Sequence, residues 1–480
     1  MKPVKKQILA NATPDETRIA IIENDKLAEY FIDRHIGGSE KVVGNIYHGK
    51  VENVLPGISS AFIDVGQEKN AYLYISDVLS ADGRERDISK ILKKGNPILV
   101  QVAKEAIGTK GMKVTMDISL PGRYLILMPL SDHLGVSRQV EDHQERDRLK
   151  KIVESFNPPG GVIVRTEAEG VDEKALRREM KYLLRLWDTV KKRSEKISKG
   201  LVHKELGLTF QVVRDILSED VEAFIIDNRQ EYEDVRGFIE MLAPELIDRV
   251  KLYDGRTPLF NTFKIEEELE KLRGSRIDLP SGGYIIIQEA ESLCAIDVNT
   301  GKFTGKNSQE ETVTATNIEA AQEVARQLRL RNIGGIIVID FIDMKKRRDR
   351  DKVMETLARA TRGDHAKIKI LPITRLGLVE MTRERRRESL QAMTGEPCAE
   401  CSGSGWVLSC DSMFLKIRKE IFEMTQGRTE GVLKISLQAA IAHYFKENKD
   451  RLEKQVGRTV EIIEDETLAW EHYRISLEKV

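Results

Sequence analysis

The sequence has 480 residues, of which 40% are hydrophobic and 32% are charged. This length predicts roughly three to five domains with ordinary cores beneath a highly charged surface. The formal net charge is −1, so any surface that binds nucleic acid must be local. Four cysteines argue against a disulfide scaffold. Because signal-peptide and membrane-spanning patterns are absent, we expect a cytoplasmic protein without a membrane span.

Short alternating stretches at residues 6–11, 17–24 and 27–32 predict three strands near the N-terminus. Three strands are too few to form a domain by themselves. A strand–helix–strand pattern at residues 221–253 would complete them. In that case the chain between about 36 and 205 is an insertion in the first domain.

Within that insertion, residues 36–119 contain five strand-like pieces separated by Gly or Pro turns, which suits an OB-type barrel. Such barrels bind single strands by stacking bases on aromatic rings beside basic groups. Phe62 and Tyr72 are the candidate stacking residues, and Lys104 and Lys110 are the candidate phosphate contacts. The alternative is that both aromatic residues belong to the barrel core.

Residues 120–205 combine two strands with a long helix over about 172–196. The apolar residues of this helix repeat at spacings of three and four, which indicates a packing face. Arg165 and Thr166 close the second strand, where a guanidinium and a hydroxyl would suit a phosphate. A dipeptide alone carries little weight.

Two apolar runs between residues 284 and 344 each end at an aspartate. The first ends at Asp297, just before Asn299, and the second ends at Asp340, just before Asp343. Short β-branched runs bounded by glycine predict strands that are buried on both faces. A carboxylate at the end of such a strand is costly unless it is paired, hydrogen-bonded or bound to a metal.

A helix over residues 316–331 is predicted to join these strands. Thr316 and Glu319 fit a capping box at its start. Strand, helix and strand would form a crossover with both strands in one sheet, so that Asp297 and Asp340 share a rim. Mg²⁺ would relieve the repulsion between the two carboxylates. The alternative is that both acids only cap turns.

Two further clusters follow. The basic residues 345–348 either form a solvated helix face or contact a polyanion backbone. Cys398 and Cys401, followed by glycines, form half of a zinc site. Cys294 lies within a strand and is expected to be a buried apolar residue, and Cys410 shows no paired spacing. The missing ligands would then come from a second copy of the chain. A redox role is less favoured, because no thioredoxin-like strand precedes the motif.

Taken in order, these motifs resemble the ribonuclease E/G family of bacterial endoribonucleases. The resemblance covers essentially the whole chain and rests on GNIYHGKVENVLPG, AFIDVG, VRT, AIDVNTG, RQLRLRNIGGIIVIDFIDM and CAECSGSG. The chain ends soon after its small C-terminal segment, so we expect it to resemble the short form of the family, without the long disordered tail.

The resemblance implies a multidomain α+β fold. Its parts would be an RNase H-like domain (1–35 and 206–275), an OB-fold RNA-binding domain (36–119), a 5′-end sensor (120–205), a DNase I-like catalytic domain (276–395), a zinc link (396–405) and a small α/β dimerisation domain (406–480).

The resemblance also implies roles for single residues. Asp297 and Asp340 would hold Mg²⁺, and Asn299 would help to position the scissile phosphate. Cys398 and Cys401 would share zinc with the same pair in a second protomer. The RNA-contacting positions would be Phe62, Tyr72, Lys104 and Lys110, and the 5′-monophosphate sensor would comprise Gly122, Ile126, Arg165, Thr166 and Lys367.

Two positions depart from the family pattern. Tyr72 stands where Phe is usual, and stacking survives that change. Lys367 stands where Arg is usual, and a lysine keeps the charge but loses the planar fork that grips a phosphate.

We therefore predict a Mg²⁺-dependent endoribonuclease that hydrolyses single-stranded RNA to 5′-phosphate and 3′-hydroxyl ends, acts in rRNA maturation and mRNA turnover, and forms a homodimer or a dimer of dimers. Eight histidines without a paired arrangement argue against a histidine-driven attack by the 2′-hydroxyl. Two rivals remain: a non-catalytic RNA-binding or assembly protein, and a metal-dependent DNA nuclease that uses the same acids.

Overall fold

The computed structural model describes residues 5–36, 42–79, 87–105, 111–301, 309–425 and 431–478. The chain divides into two compact units, Met1–Arg387 and Glu388–Val480. Within the described residues, the strands of the first unit are β1 Lys6–Ala12, β2 Glu16–Glu23, β3 Lys26–Arg34, β4 Ile46–Leu55, β5 Ser60–Asp64, β6 Ala71–Tyr74, β7 Pro97–Lys104, β8 Lys113–Thr115, β9 Leu120–Pro121, β10 Leu125–Met128, β11 Leu134–Val136, β12 Gly161–Val164, β13 Gly200–His203, β14 Val221–Ile226, β15 Val250–Leu252, β16 Arg276–Asp278, β17 Tyr284–Glu289, β18 Leu293–Asn299, β19 Gly335–Asp340, β20 Ile368–Ile370 and β21 Leu378–Arg383. Its helices are α1 Ile88–Ile91, α2 His143–Ser155, α3 Glu173–Ser194, α4 Leu208–Asp215, α5 Arg229–Leu242, α6 Leu259–Thr262, α7 Ile265–Lys271, α8 Gln309–Leu330 and α9 Arg347–Ala360.

The N-terminal sheet has the strand order β15-β14-β1-β2-β3. β1 pairs with β2 as a hairpin and with β14 in parallel, so strands from both ends of the predicted insertion share one sheet. Ile8, Ile21 and Phe224 are completely buried in their common core. The predicted joining of the N-terminal strands with the later strand–helix–strand segment is confirmed.

Strands β4 to β8 form a closed barrel. The order β4-β5-β6-β8-β7 is completed by pairing of β7 with β4, and β13 adds to the outside of β4. The predicted strand pieces at residues 42–47 and 49–54 meet in one continuous strand, β4. A Cβ on Gly49 would lie 2.7 Å from Ile63 Cγ2, so this glycine permits close packing inside the barrel and does not mark a turn.

The segment after the barrel forms a four-stranded sheet of order β11-β12-β10-β9, covered by α2 and α3. Asp172 caps α3 by accepting a hydrogen bond from the backbone N–H of Ala175 at 2.7 Å. The predicted packing face of α3 is confirmed as core, with its members all buried: Leu176, Met180, Leu183, Trp187 and Val190.

The sheet that carries the two acidic runs, here called the acid-bearing sheet, has the order β16-β17-β18-β19-β21-β20. Helices α8 and α9 pack against one face, where Cys294, Ile296 and Ile339 are buried. Ala295 and Asp297 alternate with them and are exposed. The prediction of strands buried on both faces was therefore wrong. Most neighbours in this sheet pair antiparallel, and such sheets commonly leave one face open.

Helix α8 begins at Gln309, earlier than predicted. Thr316 is completely buried within the helix, and its hydroxyl donates to the carbonyl of Thr312 at 3.0 Å. Glu319 instead accepts a hydrogen bond from the backbone N–H of Ser281 at 3.0 Å. The predicted capping box was wrong, because these polar side chains bond to the preceding turn and to a neighbouring loop.

The far end of α8 contacts the N-terminal sheet through two arginines. Arg326 Nη1 donates to the carbonyl of Leu27 at 2.7 Å. Arg329, whose side chain is 11% exposed, contacts Glu29 and donates from Nη2 to Glu23 at 2.9 Å. The helix between the two acidic strands is thereby fixed to the β2–β3 hairpin.

The second unit is a small α/β fold. Its helices are α10 Leu390–Thr394, α11 Cys410–Thr425, α12 Ala439–Glu447 and α13 Lys449–Val456, and its strands are β22 Val432–Leu437, β23 Val460–Glu464 and β24 Tyr473–Glu478. The central strand β22 pairs in parallel with β23 and antiparallel with β24. In the described part of the chain, no helix is long and apolar enough to cross a membrane.

Candidate functional site

The two predicted catalytic acids stand side by side on the open face of the acid-bearing sheet. β18 and β19 run in parallel with Asp297 opposite Asp340, and neighbouring strands lie about 4.8 Å apart. Both side chains are exposed, each near the carboxyl end of its strand. Asn299 lies on the same face and donates from Nδ2 to Asp297 Oδ2 at 2.8 Å. One amide therefore orients one of the two carboxylates.

Two glycines allow the backbone to close around the end of β18. Gly301 has a φ of +57°, and a Cβ there would lie 2.4 Å from the carbonyl oxygen of Gly282. A Cβ on Gly283 would lie 2.8 Å from the carbonyl oxygen of Asn299. Side chains at these positions would push the turn away from the strand that carries Asp297 and Asn299.

A buried amide fixes the loop after Asp340. Asn317 of α8 is completely buried, donates from Nδ2 to the carbonyl of Ile342 at 2.8 Å, and accepts from its N–H at 3.1 Å. Asp343 follows in this loop and is exposed. Asn317 was not singled out in the sequence, because nothing local shows that a mid-helix asparagine faces this loop.

The carboxylate pair suits a hard cation with oxygen ligands. Among the residues that the structure describes, no cluster of three or more His, Cys, Asp or Glu side chains gathers where a metal could sit. Asp297 and Asp340 would thus supply part of a coordination shell. Mg²⁺ is commonly held in this way, by one or two carboxylates with water and substrate phosphate completing the shell.

The basic residues at the start of α9 lie near this loop, and some of them are neutralised. Lys346 Nζ lies 2.5 Å from Glu310 Oε2, and Arg347 Nε lies 3.7 Å from Asp351. Lys345 and Arg348 are exposed. The cluster therefore presents less net positive charge than its sequence indicates.

The barrel aromatics face outward. Phe62 and Tyr72 are directly opposite on β5 and β6, with their ring centroids 6.0 Å apart in an edge-to-face arrangement. Both are half-buried and alternate with fully buried residues such as Ile63 and Leu73. The alternative that they form the barrel core was wrong. Tyr74 lies on the same face of β6 and is 39% exposed, and the two-residue period of this strand could have identified it.

Strand pairing brings lysines close to these aromatic rings. Lys104 is exposed at the end of β7 and pairs with Lys113 of β8, which in turn pairs with Tyr72. Lys113 Nζ lies 2.8 Å from Asp77 Oδ2. Lys110 lies outside the described residues. Among the described residues, Lys113, which was not predicted from the sequence, is therefore a lysine beside the aromatic pair.

The structure brings most of the predicted sensor residues together. Arg165 Nη1 donates to the carbonyl of Gly122 at 2.7 Å and to Asp215 Oδ1 at 2.6 Å. Thr166 Oγ1 lies 3.1 Å from Gln139 Oε1. Burial alone would raise the pKa of Asp215, but the hydrogen bonds and charges of Arg214 and Arg165 lower it overall.

The other two sensor positions differ in their surroundings. Ile126 is half-buried on β10, opposite Ile163 of β12. Lys367 is exposed, and its backbone N–H donates to Glu384 Oε2 at 3.3 Å, at the edge of the acid-bearing sheet. Within the described chain, Lys367 thus bonds to Glu384 and not to the cluster around Arg165.

A buried acid, missed by the sequence analysis, lies beneath that cluster. Glu179 of α3 is 1% exposed and accepts a hydrogen bond from the backbone N–H of Tyr124 at 2.9 Å. Burial raises the pKa of its carboxyl group to about 7, against the lowering effect of the backbone hydrogen bonds and of Arg165 and Arg123.

This pKa predicts a pH dependence of stability. Between pH 4.5, the unperturbed pKa, and about 7, the folded chain holds a proton that the unfolded chain has released. The free energy of unfolding should therefore fall as the pH rises through this window, by about 3 kcal/mol from Glu179 alone. Glu179→Gln should flatten that part of the profile in urea unfolding measured at several pH values. Parallel profiles for the two proteins would contradict the prediction.

The cysteine motif lies in a surface turn of the second unit. Cys398 is exposed and Cys401 is half-buried. The N–H of Gly405 donates to Cys401 Sγ at 3.3 Å, and backbone N–H groups of Gly405 and Gly403 lower the pKa of the Cys401 thiol. Thiolates favoured in this way suit metal ligation. By contrast, burial raises the pKa of Cys294 to about 12, as expected of an apolar core residue.

Comparison with known proteins places these features in a family. The model of the Ribonuclease E/G family matches residues 119–386, and that of the RNase E/G, Thioredoxin-like domain matches residues 397–479. Ribonuclease G of Haemophilus influenzae is 41% identical over 430 residues, which cover 87% of each chain. Ribonuclease G of Escherichia coli (strain K12) is 38% identical, over 95% of this chain and 96% of its own.

Ribonuclease E of the same Escherichia coli strain is 36% identical over 98% of this chain but only 46% of its own length. A solved structure of GSP13 from Bacillus subtilis covers 16% of this chain with a TM-score of 0.14, which is too weak to bear on the fold. The family model spans more than half of the chain, and the ribonuclease G relatives align along most of their length. The chain belongs to the ribonuclease E/G family.

Proposed function

We propose that this protein is a Mg²⁺-dependent endoribonuclease that cuts single-stranded RNA and leaves 5′-phosphate and 3′-hydroxyl ends. The observation that carries the proposal is the parallel register that sets Asp297 beside Asp340 on an open sheet face, with Asn299 bonded to Asp297. The names of the relatives, ribonuclease G and ribonuclease E, support RNA as the substrate. The setting that we propose, rRNA maturation and mRNA turnover, is the one that the family resemblance implies.

The residues present fit a bound Mg²⁺, because two exposed carboxylates lie on adjacent strands and no lysine or arginine is recorded bonded to either in the described chain. Bound there, the ion would supply a Lewis acid for the scissile phosphodiester. Asp297 and Asp340 would hold it. Asn299 would keep Asp297 oriented. The two hydrogen bonds between the Asn317 side chain and the backbone of Ile342 would keep the loop after Asp340 in place. Water then replaces the 3′-oxygen at phosphorus, so the phosphate stays on the 5′ side of the downstream product.

The remaining domains would bind and select the RNA. We assign the barrel to OB-type RNA binding, the α2–α3 segment to 5′-end sensing, the acid-bearing sheet to a DNase I-like catalytic domain and the N-terminal sheet to an RNase H-like domain. Arg165 and Thr166 would grip a 5′-monophosphate. Cys398 and Cys401 would hold zinc together with the same pair of a second protomer, which makes the working unit at least a homodimer.

The test is a cleavage assay on a 5′-monophosphorylated single-stranded RNA, with and without Mg²⁺, beside a DNA oligomer of the same sequence. We expect Mg²⁺-dependent cleavage of the RNA only, with 3′-hydroxyl ends on the upstream products. Cyclic-phosphate ends would overturn the mechanism. Cleavage of the DNA would favour a DNA nuclease, and tight binding without cleavage would favour a non-catalytic RNA-binding protein.

The outward aromatic row makes a separate prediction about binding. Replacing Phe62, Tyr72 or Tyr74 by alanine should weaken binding of single-stranded RNA by about 1–3 kcal/mol each, because each removes one stacking surface. Tyr72→Phe is the matched control, since it keeps the ring and removes only the hydroxyl. Fluorescence anisotropy with a labelled oligonucleotide measures the affinities. Unchanged affinity in all three alanine variants would show that this face of the barrel does not bind the RNA.

The half-site of cysteines predicts a metal stoichiometry. Tetrahedral zinc takes four ligands, so a site built from two chains holds about half a zinc ion per chain. Cys398→Ser or Cys401→Ser should abolish the bound zinc and shift the protein to a smaller assembly, whereas Cys410→Ser should do neither. Elemental analysis and light scattering on the same samples measure both. One zinc ion per chain would show a site completed within a single protomer.

A further inference from the structure

The turn between β9 and β10 is folded around one buried carboxylate. Glu179 reaches this turn from α3, and its two oxygens lie 2.9 and 3.2 Å from the backbone nitrogen of Tyr124. The backbone of Arg123 also lowers the pKa of this carboxyl group. The N–H of Gly122 is engaged as well, because it donates to the carbonyl of Leu125 at 2.7 Å. Two amides of the turn, those of Gly122 and Tyr124, are thus bonded within the protein.

The same contact explains the glycine at position 122. A Cβ on Gly122 would lie 1.9 Å from Glu179 Oε1, far inside van der Waals contact. Gly122 is therefore required by the carboxylate behind it, and its own N–H is already bonded to Leu125 and not presented to a ligand.

Two carbonyl groups on the front of the turn hold Arg165 in position. The carbonyl of Gly122 accepts from Arg165 Nη1 at 2.7 Å, and the carbonyl of Tyr124 accepts from the backbone N–H of Arg165 at 2.8 Å. The guanidinium is 17% exposed, and its second anchor is Asp215. The position of Arg165 thus depends on where Gly122 and Tyr124 sit, and these depend on Glu179.

We propose that Glu179 is the positioning residue for recognition of a 5′-monophosphate at Arg165. It fixes the turn from behind, so that two carbonyls of the turn hold the backbone and guanidinium of Arg165 in front. The ligand class is an RNA whose 5′ end carries a single phosphate, as opposed to a 5′-hydroxyl. This inference rests on the proposed function and deepens its sensor.

The experiment compares two RNAs of one sequence, with a 5′-monophosphate or a 5′-hydroxyl, in the full-length protein. Above pH 7, where the Glu179 carboxyl group is ionised, we expect Glu179→Gln to lower the ratio of kcat/KM values between them by about tenfold, the lower end of what one hydrogen bond to a charged group contributes. The amide keeps the size of the side chain and one acceptor, but presents N–H to an amide of the turn. The matched control is Glu173→Gln on the exposed first turn of α3, which should leave the ratio unchanged.

A second variant tests the close contact between Gly122 and Glu179. Gly122→Ala should lower the same ratio, because the new methyl group meets Glu179. Gly122→Ala combined with Glu179→Ala should lose less than the sum of the two single losses, because the collision is gone. Fully additive losses in the double variant would contradict the direct contact between the two residues.

Binding distinguishes failure of this inference from failure of the proposed function. Affinities of both RNAs are measured in an Asp297→Asn background, where cleavage is not needed for the readout. A 5′-monophosphate preference that Glu179→Gln leaves intact would overturn the role of Glu179, and so would an equal loss for both RNAs or the absence of any preference in the parent. Preference in binding without cleavage by the wild type would instead leave Glu179 in place and overturn the nuclease.

Discussion

Asp340→Asn and Asp297→Asn are each expected to lower the rate of RNA cleavage by at least about a thousandfold, because under the proposed function each removes one of two anionic ligands of a Mg²⁺ ion that would stabilise charge in the transition state. Each substitution keeps the shape of the side chain and the strand register. RNA binding should persist, since the barrel surface is untouched. Single-turnover cleavage and anisotropy on the same preparations measure the two effects separately.

A control acid lies on the same open face. Asp278 is opposite Tyr284, which is itself opposite Asn299, and its side chain is 76% exposed beside Arg276. Asp278→Asn should retain cleavage close to that of the wild type, which separates the specific loss from a general change of surface charge. Full cleavage by both the Asp297 and the Asp340 variants would move the active site elsewhere.

The largest effect on stability is expected from Asp364→Ala. Asp364 and Arg383 form a two-point ion pair, with Arg383 Nε donating at 2.7 Å and Nη2 at 3.1 Å, and their side chains are only 5% and 6% exposed. Arg383 also donates to the carbonyl of Ile333 at 3.0 Å, just before β19. Removing the acid leaves a buried, uncompensated cation, which costs about 3–5 kcal/mol.

Urea unfolding of the wild type and the variant measures this loss. Asp278→Ala, which breaks the exposed pair with Arg276, serves as the comparison and should cost no more than about 1 kcal/mol. Replacing both partners with Asp364→Leu and Arg383→Met should recover much of the loss, because no charge then remains buried. Equal costs for the buried and the exposed pair would contradict the assignment.

Much of the architecture could be predicted because its signals are local. The packing face of α3 repeats along one segment, and the acidic runs end where their strands end. The pairing of Asp297 with Asp340 followed from a single crossover. Errors arose where the deciding partner is remote in sequence. Gly49 permits contact with Ile63 inside the barrel, and Glu319 accepts from the backbone of Ser281 in a neighbouring loop and does not cap the helix.

In the candidate site, too, local features could be predicted from the sequence and features that depend on remote partners could not. The residue types at Asp297, Asn299 and Asp340 could be chosen from the sequence, but the open sheet face could not, because it depends on which strands flank β18 and β19. Glu179 was invisible for a related reason, since an acid in an amphipathic helix normally faces solvent. Only the fold shows that it lies behind the turn of Gly122.

The arginines at the end of α8 have a consequence for how separable the parts of this enzyme are. Arg329 places its cation between two acids of the β2–β3 hairpin, 300 and 306 positions earlier in the chain. A fragment that starts at the acid-bearing sheet would retain the helix and lose both counter-ions. A truncated, permuted or grafted protein that begins downstream of the hairpin would thus keep Arg329 without its counter-ions. This unneutralised charge would lie on α8, the helix that packs against the acid-bearing sheet. The acid-bearing sheet with α8 is in this sense not a transplantable module, although it is continuous in sequence.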